Sequence, residues 1–243
     1  MRYWGSTDIG AVRKENQDAF LTKRLDENRA LLLVCDGMGG ANGGRTASNK
    51  AIEVFAQAVE AHHKKGMKQS QMADVVAAAA TEANQAVYDA AQRDASLSGM
   101  GTTMVCLLAD GAEAVVGNIG DSRAYLIDED GMQQVTHDHS LVAEMVRRGE
   151  LSSREANHHP SKNVITRALG VDQNVSCDVF PLSLKEGQYV LLCSDGLTNE
   201  VSEPEIYYEV YQSQQPEQAC DTLIEIAKAR GGHDNITVVL ASF

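Results

Sequence analysis

The sequence predicts an α+β fold in which helices pack against antiparallel strands. Three observations lead to this prediction: two long stretches of helical periodicity, several short apolar segments that end in Gly, Asp or Asn, and Asp-Gly pairs near the ends of successive apolar segments. Asp-Gly pairs favour tight antiparallel hairpins. Neighbouring strands are therefore expected to pair in meanders and not in parallel βαβ units.

Two long amphipathic helices are predicted in the first half of the chain. Apolar residues recur at helical spacing over residues 45–62 and again over residues 72–90, and Lys65-Gly66 predicts the turn between them. The basic segment 62–68 is interpreted as a solvated last turn of the first helix, because positive charge is favourable at a helix C-terminus.

Six short apolar segments are predicted to be strands. They are residues 30–35, 103–109, 114–116, 124–127, 189–193 and 236–241. Asp110-Gly111 and Asp130-Gly131 are the predicted hairpin turns. These strands and the two helices supply enough apolar residues for one substantial core.

Residues 138–179 contain few apolar residues and are predicted to form a flap between two core strands. Ser140 is placed to cap a short helix that ends at Gly149, and Ser152 with Glu155 has the spacing of a capping box.

Further helices are predicted after the flap. Ser202 and Glu205 form a second capping box, and Pro216 begins a last amphipathic helix that Gly231 and Gly232 follow. The sequence has neither an internal repeat nor a linker. We therefore expect residues 1–243 to form a single domain.

Charge and hydropathy exclude several classes of partner. The chain has 243 residues with 21 Lys and Arg against 34 Asp and Glu, a formal net charge of -13. Such a protein repels phosphate backbones and anionic lipid, so neither nucleic-acid binding nor membrane binding is expected. The longest apolar runs have six residues, far fewer than the roughly 18 of a membrane-spanning helix. The N-terminus lacks the apolar stretch of a secretory signal, so a cytoplasmic location is expected.

The five cysteines are expected to be reduced and mostly buried. Their number is odd, no Cys-x-x-Cys pair occurs, and several lie in apolar segments; they are Cys35, Cys106, Cys177, Cys193 and Cys220. This pattern is typical of thiols in a reducing compartment, and a zinc site is not expected.

Three aspartates stand at the ends of predicted buried strands. Asp36 and Asp195 follow apolar segments, and Asp234 precedes one. Each alone is typical of a plain turn. Together at one sheet edge, however, the three carboxylates would repel one another unless a cation compensated them. Oxygen ligands without Cys or clustered His favour Mg or Mn, and the carbonyl group of Gly37 could also reach a metal.

Residues 10–18 contain two further candidates for the same site. Arg13 is suited to bind a phosphate group bidentately, and Asp18 could join the metal cluster. A surface arginine in a polar segment is ordinary when it stands alone.

Eight short motifs follow one another along the chain. They are Arg13-Lys14-Glu15-Asn16-Gln17-Asp18, Asp36-Gly37-Met38-Gly39-Gly40, Gly101-Thr102-Thr103, Gly120-Asp121-Ser122-Arg123, Asp138-His139-Ser140, Val164-Ile165-Thr166-Arg167-Ala168-Leu169-Gly170, Ser194-Asp195-Gly196-Leu197 and Asp234-Asn235-Ile236-Thr237. In this order they resemble the motifs of the PPM-type (type 2C) metal-dependent serine/threonine protein phosphatases of the bacterial branch. The resemblance covers essentially the whole chain. It implies a sandwich of two antiparallel β-sheets with helix pairs on both outer faces, and a flap that corresponds to residues 138–179.

The resemblance also implies a set of metal ligands. Asp36 would bridge two Mn or Mg ions, and the carbonyl group of Gly37 would bind one of them. Asp195 and Asp234 would hold the other ion. Asp18 would contact the metals, commonly through water.

The resemblance also implies which residues bind a third metal ion and the substrate phosphate. Asp121 would bind the third ion together with Asp195, and Arg13 matches the phosphate-binding arginine. The implied reaction is hydrolysis of phosphoserine or phosphothreonine by a hydroxide that bridges two metals.

The proton donor for the leaving oxygen stays open. Many eukaryotic members have a histidine where this chain has Met38, and many bacterial members have one where it has Ala41. The alternatives are a metal-bound water or a flap histidine, namely His139, His158 or His159.

Other polar residues of the motifs have ordinary interpretations. Residues 101–103 and Arg123 are expected to serve packing and hydrogen bonding, and His233 a local structural role. Lys162 and Arg167 either steer an anionic phosphopeptide or are solvated charges.

The leading hypothesis is a monomeric phosphatase that reverses a bacterial Ser/Thr kinase, with phosphorylated proteins, including that kinase, as its substrates. The alternative is a catalytically silent module of the same fold that binds phosphoproteins. The retained acidic cluster and Arg13 argue against it. A phosphatase for a small metabolite is a third hypothesis.

Overall fold

The computed structural model describes residues 1–39, 43–156 and 159–243, so Ala41 and His158 lie outside the described residues. The strands are β1 (Arg2–Asp8), β2 (Ala19–Arg24), β3 (Arg29–Cys35), β4 (Gly37–Met38), β5 (Gly101–Thr102), β6 (Met104–Asp110), β7 (Glu113–Ile119), β8 (Arg123–Asp128), β9 (Gly131–Gln134), β10 (Asp178–Ser183), β11 (Tyr189–Cys193) and β12 (Ile236–Ser242). The helices are α1 (Gly43–His62), α2 (Gln69–Arg93), α3 (Leu141–Arg147), α4 (Ser153–Ala156), α5 (Asp195–Thr198), α6 (Glu203–Tyr207) and α7 (Pro216–Ala229). A π-helical turn, Tyr208–Gln212, follows α6.

Two antiparallel sheets of five strands dominate the fold. The first sheet has the strand order β1-β12-β11-β8-β9, and the second has the order β10-β7-β6-β3-β2. All pairings in both sheets are antiparallel. Strands β4 and β5 form a separate short pair beside the second sheet. The predicted α+β class with antiparallel meanders is confirmed.

The two sheets face each other across an apolar core. Leu32 and Val34 of β3 belong to the same buried cluster as Leu192 of β11 and Val239 of β12. The alternate residues of β3, Leu31 among them, point to the other face and pack against helices. Both faces of β3 are therefore buried, which explains why residues 30–35 are continuously apolar instead of alternating.

The helices cover the outer face of each sheet. Helices α1 and α2 bury Phe55 and Met72 against the second sheet, and α7 buries Leu223 against the first. The apolar stripe along each helix makes this packing possible. The α-β-β-α sandwich that the family resemblance implied is confirmed.

Both predicted hairpins are present. Asp110 pairs with Glu113 across the β6–β7 turn, where Gly111 has φ +63°. Asp128 pairs with Gly131 across the β8–β9 turn. Glycine tolerates the left-handed backbone that such turns require.

Residues 138–179 connect β9 to β10 and contain α3 and α4. The Ser140 hydroxyl accepts a hydrogen bond from the Ala143 amide over 3.3 Å, as expected of an N-cap. Ser152 and Glu155 form the predicted capping box. The helix boundaries follow the predicted signals, while the flap as a separate unit stays a prediction.

His63 differs from the prediction that the basic segment is solvated. The residue is 6% exposed, and neither ring nitrogen has a hydrogen-bond partner among the residues that the structure describes. Burial lowers the pKa of His63, and the charge of nearby Arg29 lowers it further. The preceding residue, His62, is exposed and fits the original interpretation.

The cysteines and the hydropathy of the helices agree with the sequence-based expectations. All five cysteines are free thiols, and four of them are buried. Burial raises the pKa of Cys193 to about 12, so this thiol stays protonated. Within the described part of the chain, no helix combines the length and the apolar character that crossing a membrane requires.

Candidate active site

Strand ends from both sheets bring the predicted carboxylates to one cavity. Asp36 follows β3 of the second sheet, whereas Asp195 follows β11 and Asp234 precedes β12 of the first. These residues line a cavity of about 250 Å³ together with Asp121 and Arg13. The expectation of one sheet edge is therefore wrong: the site lies where the ends of two facing sheets meet.

Asp18 lies deepest of the predicted ligands. Its Oδ2 atom accepts hydrogen bonds from the hydroxyl groups of Ser194 and Thr237, each over 2.7 Å, while Oδ1 is buried and has no partner among the described residues. Burial is the main cause that raises the pKa of Asp18 to about 7, and the charges of Asp195 and Asp234 also raise it. The two hydrogen bonds lower this pKa but do not outweigh burial.

Two threonines of the 101–103 motif hold the backbone of Asp36. The Asp36 amide donates to Thr103 Oγ1 over 3.0 Å, and its carbonyl oxygen accepts from Thr102 Oγ1 and from the Thr103 amide, each over 2.8 Å. Burial raises the pKa of Asp36 well above its ordinary value, and the charges of Asp18 and Asp195 add to this effect.

Gly37 has no room for a side chain. A Cβ atom there would lie 2.1 Å from the Gly44 carbonyl oxygen and 2.6 Å from that of Gln17. Glycine therefore allows the Asp36 turn to pack directly against the first turn of α1.

Thr103 also reaches the turn that carries Asp121. Its Oγ1 atom lies 2.7 Å from the hydroxyl oxygen of Ser122, the next residue after Asp121. Burial raises the pKa of Asp121 to about 7, with further contributions from Asp195 and Asp138. One threonine thus links two of the predicted metal-binding turns, which supports the expected hydrogen-bonding role of residues 101–103.

The two carboxylate oxygens of Asp195 differ in their hydrogen bonding. Its Oδ2 atom accepts a hydrogen bond from Asn199 over 3.0 Å, and Oδ1 is buried with no hydrogen-bond partner in the described ranges of the chain. Burial raises the pKa of Asp195, and the charge of Asp234 raises it further. Lys162 donates to the amide oxygen of Asn199 over 3.2 Å, so the flap contacts this ligand through one intervening side chain.

Arg13 and Asp234 form an ion pair that the sequence did not reveal. Arg13 Nη2 donates to Asp234 Oδ2 over 2.6 Å. The hydrogen bond to Asp234 raises the pKa of Arg13, as do the charges of Asp36 and Asp195. The expected phosphate-binding group is thus bonded to one of the expected metal ligands.

Asn235 is a site residue that the sequence analysis missed as a functional side chain. Its side-chain Nδ2 atom donates to the carbonyl oxygens of Ile9 and Glu15, and its Oδ1 atom accepts from the Gln17 backbone amide over 2.8 Å. These hydrogen bonds connect the segment that contains Arg13 to the start of β12. The only signal in the sequence was its place beside Asp234 in the last motif.

The donor set fits a hard divalent cation. All the predicted side-chain ligands are carboxylates. The buried Oδ1 atoms of Asp18 and Asp195 have no hydrogen-bond partner in the part of the chain that the structure describes, which is unusual for buried polar atoms. Among residues 1–39, 43–156 and 159–243, however, no three His, Cys, Asp or Glu side chains are placed to hold one ion together. Asp36, Asp121, Asp195 and Asp234 line one cavity with Arg13, whereas Asp18 is not among the described residues that line it. The Arg13 guanidinium compensates part of the charge.

Comparison with known sequences decides the family. The profile of the family described as Protein phosphatase 2C matches residues 11–231. The chain belongs to the protein phosphatase 2C family. The predicted family and the predicted enzyme class, a protein-serine/threonine phosphatase, are confirmed.

Individual serine/threonine phosphatases match over nearly their whole length. The serine/threonine phosphatase stp of Listeria innocua is 36% identical over 234 residues, which cover 96% of this chain and 92% of that protein. The crystal structure of serine/threonine phosphatase Stp1 from Staphylococcus aureus has a TM-score of 0.93 at 36% identity, covering 99% of this chain and 94% of that one. The catalytic domain of PstP, solved in complex with two manganese ions, has a TM-score of 0.85 at 32% identity, covering 99% and 97%.

A second cavity adjoins the carboxylates of this 2C-type phosphatase. It has a volume of about 630 Å³ and shares Asp121, Asn163 and Asp195 with the first cavity. Lys162 and Glu203 are among its other lining residues. A larger cavity, lined in part by residues of the predicted flap, thus adjoins the carboxylates.

The histidines proposed as proton donors do not line either cavity, as far as the described residues go. His139 is 3% exposed and both of its ring nitrogens are engaged, one by a backbone amide and one by Asp178. His159 accepts a hydrogen bond from the Ser161 amide over 3.1 Å. Of the three proposed donors, the third, His158, lies outside the described residues.

The other polar motif residues serve local contacts in this phosphatase. Arg123 donates to both carboxylate oxygens of Asp138, over 2.7 to 3.1 Å. Arg167 donates to Asp178, and His233 contacts Glu200 over 2.7 Å. The structural interpretation of Arg123 and His233 agrees with their contacts, whereas Arg167, which was expected either to steer a phosphopeptide or to be a solvated charge, is bonded to Asp178.

Proposed function

We propose that this 2C-type phosphatase hydrolyses phosphoserine and phosphothreonine in proteins, with Mn²⁺ or Mg²⁺ held by Asp36, Asp195 and Asp234. The observation that carries the proposal is the cavity in which these carboxylates meet Arg13. The names of the relatives support the substrate class. The two manganese ions in the PstP catalytic domain support the metal dependence.

The family resemblance supplies the remaining ligands. Asp36 would bind both ions, the carbonyl group of Gly37 would bind one of them, and Asp18, whose Oδ1 atom has no partner among the described residues, would act through water. Asp121 lines the same cavity as Asp195, which supports a third ion held by these two residues. Two ions with a third are therefore proposed.

The protein's own residues orient the phosphate and stabilise its charge. Divalent ions at such a site lower the pKa of water and neutralise the charge that develops on phosphate. Arg13 would exchange the Asp234 oxygen for the phosphate oxygens, because its planar guanidinium binds them bidentately. Thr102 and Thr103 hold Asp36 in place during the reaction through its backbone. Catalysis of this kind is mostly positioning and electrostatics.

The negative surface makes local charge important for substrate binding. A net charge of -13 repels a phosphorylated protein, so attraction must come from the metals and Arg13 at the cavity. Substrates would include a cognate Ser/Thr kinase, and we expect a monomer that acts in the cytoplasm.

The test compares metal-dependent activity across matched variants. Turnover of p-nitrophenyl phosphate and of a phosphothreonine peptide is measured with and without Mn²⁺ for the wild type, Asp36→Asn and Asp195→Asn. Asp74→Asn, on the exposed side of α2, serves as the control. We expect Mn²⁺-dependent turnover in the wild type and the control only. Wild-type protein without turnover on either substrate would overturn the proposal and favour the silent binding module.

A second comparison addresses the substrate class. The phosphothreonine peptide and a set of sugar phosphates are offered at equal concentration. We expect a higher kcat/KM for the peptide. A preference for a sugar phosphate would favour the small-metabolite hypothesis.

A further inference from the structure

His139 forms two hydrogen bonds with the backbone of Gly120, the residue before Asp121. The Gly120 amide donates to His139 Nδ1 over 3.0 Å, and the Gly120 carbonyl oxygen accepts from the His139 amide, also over 3.0 Å. His139 is 3% exposed, so both contacts are shielded from water. The Asp121 turn is therefore bonded to the first residues of the predicted flap.

These contacts define which ring nitrogen carries the proton. Because the Gly120 N–H group points at Nδ1, that nitrogen has no hydrogen, and the proton of the neutral ring must sit on Nε2. Nε2 lies 3.1 Å from Asp178 Oδ2 and donates to it. Asp178 thus selects the tautomer in which His139 accepts from Gly120.

Asp178 is itself held by Arg167. Arg167 Nη1 donates to Asp178 Oδ1 over 2.6 Å and to the Ser176 carbonyl oxygen over 3.1 Å. Burial raises the pKa of Asp178, but the hydrogen bonds from Arg167 and His139 outweigh it and lower the pKa overall. A continuous chain of hydrogen bonds therefore runs from Arg167 through Asp178 and His139 to Gly120.

The Gly120 turn has little freedom on its other side. Gly120 has φ +104°, and a Cβ atom there would lie 2.6 Å from Thr103 Cγ2. The turn is thus enclosed between Thr103 and His139, and a change at His139 would release one side of it.

We propose that His139 is a positioning residue for Asp121: its imidazole, oriented by Asp178 and Arg167, fixes the Gly120 turn so that Asp121 can bind a divalent ion. The inference rests on the proposed function, because it takes Asp121 as a metal ligand. Side chains that orient a metal ligand typically change metal affinity strongly when they are replaced.

Two variants of His139 separate positioning from simple packing. In His139→Asn, the amide oxygen can take the place of Nδ1 and accept from Gly120. In His139→Gln, the amide extends toward the position of Nε2 and leaves the Gly120 amide without its acceptor. Asp121→Asn defines the part of the metal binding that depends on Asp121.

The experiment titrates Mn²⁺ into each full-length protein by calorimetry, a readout that does not need catalysis. We expect Asp121→Asn to remove part of the wild-type isotherm. His139→Gln should weaken that same part by roughly 10–100-fold, and His139→Asn should stay within about threefold of the wild type. His139→Gln in the Asp121→Asn background should add nothing further.

Several results would overturn the inference. Wild-type binding in His139→Gln, or equal weakening of all Mn²⁺ binding, would mean that His139 does not act through Asp121. If Asp121→Asn itself leaves the isotherm unchanged, the proposed ligand role of Asp121 fails together with the inference.

If His139→Gln does not fold, the wild-type protein still gives a decisive readout. A two-dimensional ¹⁵N–¹H spectrum of the histidine rings reports which nitrogen of His139 carries the proton. We expect the proton on Nε2. A proton on Nδ1 would exclude the hydrogen bond from Gly120 and overturn the inference.

Discussion

The Ser194 hydroxyl donates a hydrogen bond to Asp18 Oδ2 over 2.7 Å, in the most buried part of the site. Ser194 also accepts from the Thr237 amide over 3.0 Å, and the Thr237 hydroxyl donates to the same Asp18 oxygen. These contacts tie the start of β2 to the end of β11 and the start of β12. They also favour the ionised carboxylate, against the cost of its burial.

Replacing Ser194 is expected to lower the free energy of unfolding of the metal-free protein. Ser194→Ala removes one hydrogen bond to a buried charge, and such bonds contribute about 1.5–3 kcal/mol. Urea denaturation at pH 8 in the presence of EDTA measures the free energy of unfolding. At pH 5 the loss should shrink, because Asp18 is then protonated. Equal stability of variant and wild type at pH 8 would contradict this account.

Asp18 is expected to make the metal-free protein less stable as pH rises. Its pKa is about 7 in the folded state against an ordinary value of 3.8, so the folded state binds more protons between these values. The stability that it contributes is fully present below about pH 4 and is lost as pH rises through about 7.

The matched variant for this effect is Asp18→Asn, which resembles the protonated carboxyl group. Thermal unfolding in EDTA is recorded from pH 4 to pH 8 for both proteins. The wild type should lose stability relative to Asp18→Asn across this window. A difference that does not change with pH would show that burial of the Asp18 charge is not the cause.

His63 is expected to make the protein less stable as pH falls, which is the opposite pH dependence. Its pKa is lowered from the ordinary 6.5 by burial and by Arg29, and Asp110 and Asp26 oppose this only in part. The unfolded state therefore binds the extra proton, and the stability contributed by the neutral ring is lost as pH falls below about 6.5. His63→Phe should lose less stability than the wild type between pH 7 and pH 5.5.

His62 provides the control for this prediction. It is the preceding histidine and its side chain is 61% exposed, so the pH profile of His62→Gln is recorded beside that of the wild type. If His63→Phe follows the wild-type profile, the buried ring does not contribute to the acid sensitivity.

Arg13 is expected to contribute to substrate binding and not to metal binding. Arg13→Ala should lower kcat/KM for a phosphothreonine peptide by roughly 10–100-fold, in line with the strength of charge-assisted hydrogen bonds. Because Arg13 is bonded to Asp234, its removal should leave Mn²⁺ affinity equal or higher in a calorimetric titration. Weaker Mn²⁺ binding in the variant would contradict the assigned role.

The central strands were predictable from the sequence, and the edge strands were not. The strands missed by the sequence analysis include β1, β9, β2 and β10, which are the four edges of the two sheets. None of these four strands has a fully buried residue. Without two buried faces they lack the apolar runs that marked the central strands.

The site was predictable only in part for a related reason. Asp36, Asp195 and Asp234 were visible because each stands beside a buried strand. The hydrogen bond of Arg13 to Asp234 joins residues 221 positions apart. The hydrogen bonds between His139 and Gly120 form only because the predicted flap packs beside the second sheet. Such contacts are set by tertiary packing and leave no local pattern in the sequence.

The central claim is that Asp36, Asp195 and Asp234 hold divalent ions at the meeting point of the two sheets. An anomalous difference map from crystals grown with Mn²⁺, recorded near the manganese absorption edge, tests it most directly. We predict peaks within coordination distance of the Asp36, Asp195 and Asp234 carboxylates. A map without peaks at these carboxylates, from a protein that retains Mn²⁺-dependent activity, would contradict the claim.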